Sequence, residues 1–217
     1  YERFNSRIIF PINNLSGDTI ALGGRTINNE RLAKYINSPE TEFFKKGNLL
    51  FNLDKAKDFR TKTNDVIIVE GYMDVLSLYQ NGITNVISNS GTALTERQIE
   101  LVWKFFSNPL ICLDGDTSGQ NAAKRISERV FPLISDNKKV FFSVLSESQD
   151  PDDFIKKEGK EKFLLLLKQK ISIEDYIWNI NFNKINKSSP YEISKFEKEI
   201  RKLCYQIKDE VLRKHIL

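Results

Sequence analysis

The middle third of the chain alternates short apolar runs with longer segments in which apolar residues recur every three or four positions. The apolar runs cover residues 66–69, 86–87, 110–113 and 140–145. The segments with helical spacing begin at Tyr72, Thr95, Ser118 and Pro151. Strands that alternate with helices of this length predict a parallel sheet with crossover connections.

The ends of the helical segments carry local signals. Asn81-Gly82 is a typical helix C-terminus. Thr95 is a candidate N-cap, and Gln98, three positions later, completes the pattern of a capping box. These signals support the assignment of helices between the strands.

The two flanks differ from the middle. Residues 7–27 predict two antiparallel strands around an Asn-Leu-Ser-Gly-Asp turn. Residues 160–170, 173–183 and 191–217 have the apolar spacing of helices. Polar breaks near residues 60–65 and 186–190 separate the segments. We expect an α/β (mixed α+β) fold with a mixed N-terminal piece at 1–62, a central α/β domain at 63–155 and a helical bundle at 156–217.

Composition narrows the classes of protein. The 217 residues are 40% hydrophobic and 11% aromatic, as in folded domains. No run approaches the ~18 consecutive apolar residues of a membrane span, so we expect no membrane association. The chain does not begin with Met, which favours a piece of a longer protein. Cys112 and Cys204 lie in apolar surroundings and are expected to be reduced thiols of a cytoplasmic protein.

One histidine, His215, and these two cysteines cannot build a zinc site. A metal would have to be held by carboxylates, which favours Mg²⁺ or Mn²⁺. Charge supports this view, because residues 63–153 carry 7 basic and 13 acidic side chains. Residues 1–62 carry 11 and 7, and residues 154–217 carry 15 and 9. An acidic middle between basic flanks suits a metal site beside a nucleic-acid track, although charge alone equally fits a solvated surface.

Acidic residues follow three of the four predicted parallel strands at the same edge of the sheet. They are Glu70 and Asp74, Asp114 and Asp116, and Asp150 and Asp152. Ligands of open parallel sheets bind at this edge, and neighbouring strands are ~4.8 Å apart. Unpaired, the acids would repel one another, whereas one or two divalent ions would neutralise them. The single spacer in Asp-Gly-Asp should place both side chains on the same side of an extended chain.

Taken singly, two of these acids have simpler explanations. Asp116, before Thr117-Ser118, fits a helix N-cap, and Asp74 fits a first-turn partner of the helix dipole. The ensemble, with a glycine beside both Glu70 and Asp114, favours a metal site.

The ordered motifs VIIVEGYMDVLSL, SNSGTALT, LICLDGDTSGQNAA and DPDDFI resemble the Toprim domain of bacterial replicative primases of the DnaG type. RFNSRIIFPI, ALGGRTI and KYINSPETEFFKKGNLLFNL resemble the basic subdomain that precedes Toprim in those primases. The resemblance runs from about residue 3 to about residue 175. It implies a Toprim domain with a central parallel sheet flanked by helices, between a mixed basic subdomain and a helical bundle.

The implied activity is template-directed synthesis of short RNA primers from ribonucleoside triphosphates on single-stranded DNA. The resemblance implies Glu70, Asp114 and Asp116 as catalytic residues, with Glu70 binding metal or taking a proton from the 3′-hydroxyl. It implies a metal set, for two Mg²⁺ or Mn²⁺ ions, of Glu70, Asp114, Asp116, Asp150, Asp152 and, at lower rank, Asp74. It implies contacts to nucleotide or nucleic acid from Arg25, Lys34, Tyr35, Asn37, Lys46, Gly71, Gly91 and Thr92. Gly23-Gly24, before Arg25, should permit a close approach of the backbone.

Further expectations concern partners. A replicative helicase and a single-strand-binding protein would be contacted through parts outside this chain, and the chain itself should be monomeric. Primases usually carry a zinc-binding domain, for which no ligands are available here. Two alternatives stay open: another Toprim enzyme, such as a topoisomerase or nuclease, and a non-catalytic recombination-mediator module. Nicking of supercoiled DNA would favour the first, and absence of metal binding would favour the second.

Overall fold

The computed structural model describes residues 3–27, 33–89, 93–145 and 149–216. Its N-terminal part is an antiparallel sheet in the order β1-β2-β3. The strands are β1 (Arg7–Asn13), β2 (Thr19–Thr26) and β3 (Tyr35–Asn37). The predicted pair β1 and β2 is confirmed. The third strand was not predicted, because its three residues owe their conformation to pairing with β2 rather than to a pattern of their own.

A second sheet of five strands has the order β5-β4-β6-β7-β8. Its strands are β4 (Asp65–Val69), β5 (Val86–Ser88), β6 (Asn108–Leu113), β7 (Phe141–Val144) and β8 (Ile171–Ser172). The first four are parallel, as predicted. The edge strand β8 pairs antiparallel with β7 and was not predicted.

Helices cover both faces of the parallel sheet. They are α1 (Leu53–Ala56), α2 (Tyr72–Gln80), α3 (Glu96–Trp103), α4 (Thr117–Val130), α5 (Pro151–Lys168), α6 (Ile173–Phe182), α7 (Pro190–Cys204) and α8 (Glu210–Ile216). Alternate residues of a strand point to opposite faces, so Val66 and Ile68 pack with α3, α4 and α6. Ile67 and Val69 pack with α2 and α5 on the other face. Two helical layers therefore hold the carboxyl edge of the sheet in place.

The helical segment predicted over 191–217 is wrong as one continuous stretch. Helix α7 ends at Cys204 and α8 begins at Glu210. Between them the Lys208 N–H donates to the Pro132 carbonyl at 3.0 Å, and Ile207 is 0% exposed. The apolar spacing continues through Ile207 because that residue packs into the core, although the backbone around it is not helical.

Helix α5 joins two predicted segments. Gly159, at φ 81° and ψ 167°, interrupts it, and Phe154 and Phe163 from its two halves pack in the same core cluster. The boundary predicted at residue 155 falls inside this helix. None of the helices in the described ranges has the length and apolar composition that crossing a membrane requires.

Hydrogen bonds of Phe51 and Gln98 are among those that connect the N-terminal part to the parallel sheet and its helices. Phe51 and Ser88 exchange backbone hydrogen bonds at 2.8 and 3.2 Å. The buried Gln98 side chain of α3 donates to the carbonyl oxygens of Lys46 and Leu49 at 3.0 and 2.7 Å. The predicted capping box with Thr95 is confirmed, so Gln98 serves the cap and the connection at once.

Candidate active site at the carboxyl edge of the sheet

A cleft of about 600 Å³ lies between the carboxyl edge of the parallel sheet and the N-terminal sheet. The acidic side chains in its lining are Glu70, Asp74, Asp114, Asp150 and Asp152. The other side chains that the sequence pointed to, and that also line it, are Arg25, Lys34, Tyr35, Asn37 and Lys46. The structure thus brings five of the six predicted acids together with the predicted basic and polar residues. An acidic wall faces a basic one across a single space.

Glu70 and Asp114 lie at the ends of two neighbouring strands in the acidic wall. They follow the adjacent strands β4 and β6, in which Ile68 lies opposite Ile111. Glu70 Oε1 and Asp114 Oδ1 are buried, and neither has a hydrogen-bond partner among the described residues. Burial raises the pKa of both carboxyls, that of Asp114 to about 7, with the Glu70 charge as a second cause for Asp114. Leaving a buried carboxylate oxygen without a partner is costly, and a cation bound at these two oxygens would remove that cost.

Asp74 lies one helical turn beyond Glu70 and is 8% exposed. Its Oδ2 accepts a hydrogen bond from the Gly71 N–H at 3.0 Å, which completes the cap of α2. Burial, followed by the charge of Asp150, raises its pKa to about 7. Asp74 therefore both caps the first turn of α2 and forms part of the acidic wall.

Asp150 and Asp152 come from the start of α5. Asp150 is its N-cap, with Oδ1 accepting from the Asp153 N–H at 2.7 Å. Asp152 Oδ2 is 2.6 Å from Lys156 Nζ. Burial opposes ionisation of Asp152, but the hydrogen bonds from Lys156 and Ser77 outweigh it and lower the pKa. These two acids, predicted to follow the last of the four parallel strands, line the cleft as expected.

Asp116 occupies a different position from Asp114. The chain bends at Gly115 and Asp116, and Asp116 is exposed as the N-cap of α4. Its Oδ1 accepts from the Gly119 N–H at 2.7 Å. The expectation that both aspartates face the same side is not confirmed, because Asp114 lines the cleft and Asp116 does not. The charge of Asp116 still raises the pKa of Glu70 and Asp114, after the effect of burial.

Gly119 was missed by the sequence reasoning. A Cβ on this residue would lie 2.2 Å from the Asp114 carbonyl oxygen. The first turn of α4 therefore packs directly on the backbone that carries Asp114, and only glycine fits. A glycine three residues after an N-cap aspartate, inside a helix, was the available signal.

The basic wall is built on β2 and β3, where Arg25 pairs with Tyr35. The Arg25 guanidinium and Lys34 Nζ each lie 5.9 Å from the centre of the Tyr35 ring. Burial raises the pKa of the Tyr35 hydroxyl, and the Arg25 charge opposes that rise. Ring and cations together form a positive, partly aromatic surface.

Two further residues of the cleft, Arg3 and Tyr72, were not predicted. Arg3 donates to the Asn37 carbonyl from Nε and Nη2 at 3.1 and 3.0 Å. The Tyr72 hydroxyl donates to Asn37 Oδ1 at 2.9 Å. Both depend on contacts between segments distant in sequence, which no local pattern reveals.

The glycines before Arg25 have another role than the one expected. A Cβ on Gly23 would lie 2.9 Å from Tyr72 Cε2, and one on Gly24 would lie 2.7 Å from Phe4 Cδ1. The space that they leave is filled by aromatic rings of the protein itself.

Of the predicted loop residues, Gly71 lines the cleft and its N–H is held by Asp74. Gly91 and Thr92 lie outside the described residues. Within the described ranges, no group of three or more His, Cys, Asp or Glu side chains lies close enough to hold a metal ion as placed. The two unpartnered oxygens of Glu70 and Asp114 nevertheless have the chemistry that oxygen-preferring cations require.

Two family matches cover most of the chain. Residues 1–57 match the family described as DNA primase catalytic core, N-terminal domain. Residues 67–155 match the family described as Toprim-like.

Among curated proteins, the chain is 36% identical over 213 residues to the DNA primase of Rickettsia prowazekii (strain Madrid E). That match covers 98% of the chain and 36% of the relative, so the chain spans about a third of the relative's length. Among solved structures, the DnaG catalytic core has 35% identity and a TM-score of 0.93, with 100% of this chain and 69% of that chain covered. A DnaG primase catalytic domain bound to single-stranded DNA has 34% identity and a TM-score of 0.91, with the same coverage.

Proposed function

Because the chain belongs to the DnaG-type family of DNA primases, we propose that it is part of the catalytic core of a primase. It would join ribonucleoside triphosphates into short RNA primers on a single-stranded DNA template, as a DNA-directed RNA polymerase. A DnaG primase catalytic domain of the same fold is known with single-stranded DNA bound, which supports this template. The family matches favour this activity over a topoisomerase, a nuclease or a recombination mediator.

One observation carries the proposal: Glu70 and Asp114, each with a buried oxygen that has no hydrogen-bond partner among the described residues, share one cleft with Arg25, Lys34 and Lys46. Nucleotidyl transfer needs positive charge for triphosphate and template, and needs carboxylates for the reacting centre. The cleft supplies both within one space. The acidic wall alone would fit any metal-binding module, and the basic wall alone would fit any nucleic-acid-binding protein. Their combination favours a polymerase.

Toprim membership and the carboxylate donor set support the use of divalent metal in general. We propose two ions, Mg²⁺ or Mn²⁺, which when bound stabilise the attacking and leaving oxygens of the transfer. Glu70, Asp114 and Asp116 would hold one side of this centre, with Glu70 also placed to take the proton of the 3′-hydroxyl. Asp150, Asp152 and Asp74 would serve the triphosphate side.

Arg25, Lys34 and Lys46 would bind phosphates of the incoming nucleotide and the template. Tyr35, held between two cations, would give this wall a flat face for a base or sugar. Asn37 is oriented by Arg3 and Tyr72 and would form part of the nucleotide-binding side of the cleft. Gly71, Gly91 and Thr92 are proposed to line the loops at this edge.

The remaining proposals concern the whole protein. We propose a monomeric cytoplasmic enzyme that meets helicase and single-strand-binding protein through parts beyond this chain. We further propose a basic subdomain at 1–62, a Toprim domain at 63–155 and a helical subdomain at 156–217. The family matches at 1–57 and 67–155 support the first boundary.

The test is incorporation of labelled ribonucleotides on single-stranded DNA with Mg²⁺ or Mn²⁺, using the full-length protein. Asp114→Ala should abolish incorporation, because it removes a buried ligand. Asp136→Asn, an exposed acid bonded only to its neighbour Asn137, should leave incorporation unchanged. Normal activity of Asp114→Ala would refute the site, and nicking of supercoiled DNA would favour another Toprim enzyme.

A further inference from the structure

The loop before Lys46 presents an aromatic ring to solvent. Phe43 is 78% exposed, whereas its neighbour Phe44 is 0% exposed and packs with Phe10 and Tyr72. The Thr41 N–H donates to the Phe44 carbonyl at 2.9 Å, and the Phe44 N–H donates to Thr41 Oγ1 at 3.0 Å. The turn therefore anchors one phenylalanine in the core and holds the other in water.

The position of this ring relative to the cleft is narrowly limited. Phe43 and Lys46 are three positions apart in the chain, so their Cα atoms are at most about 11 Å apart. Lys46 lines the cleft, and the Glu40 carboxylate fixes its N–H at 3.1 Å. Gln98 fixes its carbonyl from the other side at 3.0 Å. Phe43 thus stands on an anchored loop beside one end of the basic wall.

The chemistry around the ring indicates its ligand. Lys45, two positions after Phe43, is exposed, and Lys46 follows it, so two lysines lie within three positions of the exposed ring. Glu42 is the remaining carboxylate in this turn, because Glu40 is engaged with the backbone. A polyanion whose bases have apolar faces satisfies both features. A single strand bound by Lys46 through a phosphate has a base within reach of Phe43.

We propose that Phe43 is a stacking platform for one base of the single-stranded DNA template where the strand passes Lys46. The inference rests on the proposed function and names a contact that it did not include. The anchored turn means that little ordering is required on binding, which favours affinity. Stacking of this kind is independent of sequence, because every base has a π-face.

The test is fluorescence anisotropy of a labelled oligodeoxythymidylate with the full-length protein over a series of salt concentrations. Phe43→Ala should weaken binding by about 5- to 100-fold without changing the salt slope. Lys46→Ala should weaken binding and reduce the slope by about 0.7, as expected for one lost phosphate contact on a single strand. Phe43→Trp should retain affinity. Tyr191→Ala, which removes a ring that is 88% exposed on α7, is the matched control and should bind normally.

A second arm uses oligonucleotides with one abasic site, moved position by position. In the unaltered protein, one position should lower affinity by the same factor as Phe43→Ala. In the Phe43→Ala protein, that position should have no further effect. A structural role of Phe43 would not produce this match.

The outcomes separate this proposal from the one that it rests on. If the unaltered protein does not bind single-stranded DNA, the proposed function fails and this contact fails with it. If the unaltered protein binds and Phe43→Ala binds equally well, only the stacking contact is refuted, and a protein partner becomes the occupant to seek. A loss of affinity accompanied by a lower salt slope would also refute stacking.

Discussion

Replacing Asp74 with asparagine should stabilise the protein in the absence of metal at alkaline pH. Asparagine keeps an oxygen that can accept the hydrogen bond from the Gly71 N–H, so the cap of α2 survives. The substitution removes one negative charge from a nearly buried position beside Asp150 and Glu70. The change therefore isolates the electrostatic cost of the acidic wall.

The magnitude follows from the pKa of Asp74, which is raised from 3.8 to about 7. An acid with a raised pKa binds more protons in the folded than in the unfolded state between these values. Stability contributed by this group is therefore full below pH 3.8 and is lost as pH rises towards 7. At about 1.4 kcal/mol per pH unit, the loss amounts to about 4 kcal/mol above pH 7. That is a large share of the 5–15 kcal/mol typical of a folded domain.

The assay is urea denaturation in EDTA at pH 5 and pH 8, followed by circular dichroism. The unaltered protein should lose stability between the two values, and Asp74→Asn should lose about 3 kcal/mol less, because only the interval from pH 5 to pH 7 contributes. Asp136→Asn, exposed on the surface, should follow the unaltered protein. Equal pH dependence of Asp74→Asn and the unaltered protein would show that the Asp74 carboxylate carries no such penalty.

Three other perturbations give separate tests. Gly119→Ala should destabilise the protein by about 1–3 kcal/mol and lower ribonucleotide incorporation, because its Cβ would overlap the Asp114 carbonyl; an unchanged melting temperature would contradict this packing. Gln98→Leu should cost about 2–4 kcal/mol in urea denaturation, since two carbonyl oxygens lose their donor; a neutral effect would mean that water replaces it. The double variant Lys34→Ala/Lys46→Ala should reduce the salt slope of DNA binding by about 1.4, and an unaltered slope would exclude both from phosphate contact.

Much of the central sheet could be predicted because its signals are local. Residues 66–69 are continuously apolar, Thr95 and Gln98 cap a helix by side chains three residues apart, and Asp116 precedes a helix that it caps. The convergence of the acids followed from the edge at which parallel strands end. The basic residues opposite the acids were predicted only from the family resemblance. No local sequence pattern shows that β2 and β4, which belong to different sheets, lie on either side of one cleft.

The rest depended on tertiary contacts. Strands β3 and β8 have three and two residues, too few for a pattern, and exist through their partners. Arg3 and Tyr72 become site residues only because both reach Asn37. The break between α7 and α8 is imposed by the hydrogen bond from Lys208 to Pro132, which apolar spacing does not encode.

We expect the bridge between Phe51 and Ser88 and the amide of Gln98 to couple the N-terminal sheet and the parallel sheet in local unfolding. The Phe51 N–H is protected only while β5 is in place, and the Thr95 N–H only while Gln98 holds its turn. Native-state hydrogen exchange should therefore find both amides opening with one shared free energy. The basic wall would then not unfold separately from the acidic wall. The width of the cleft would be fixed when the protein folds, and would not vary through movement of one wall relative to the other.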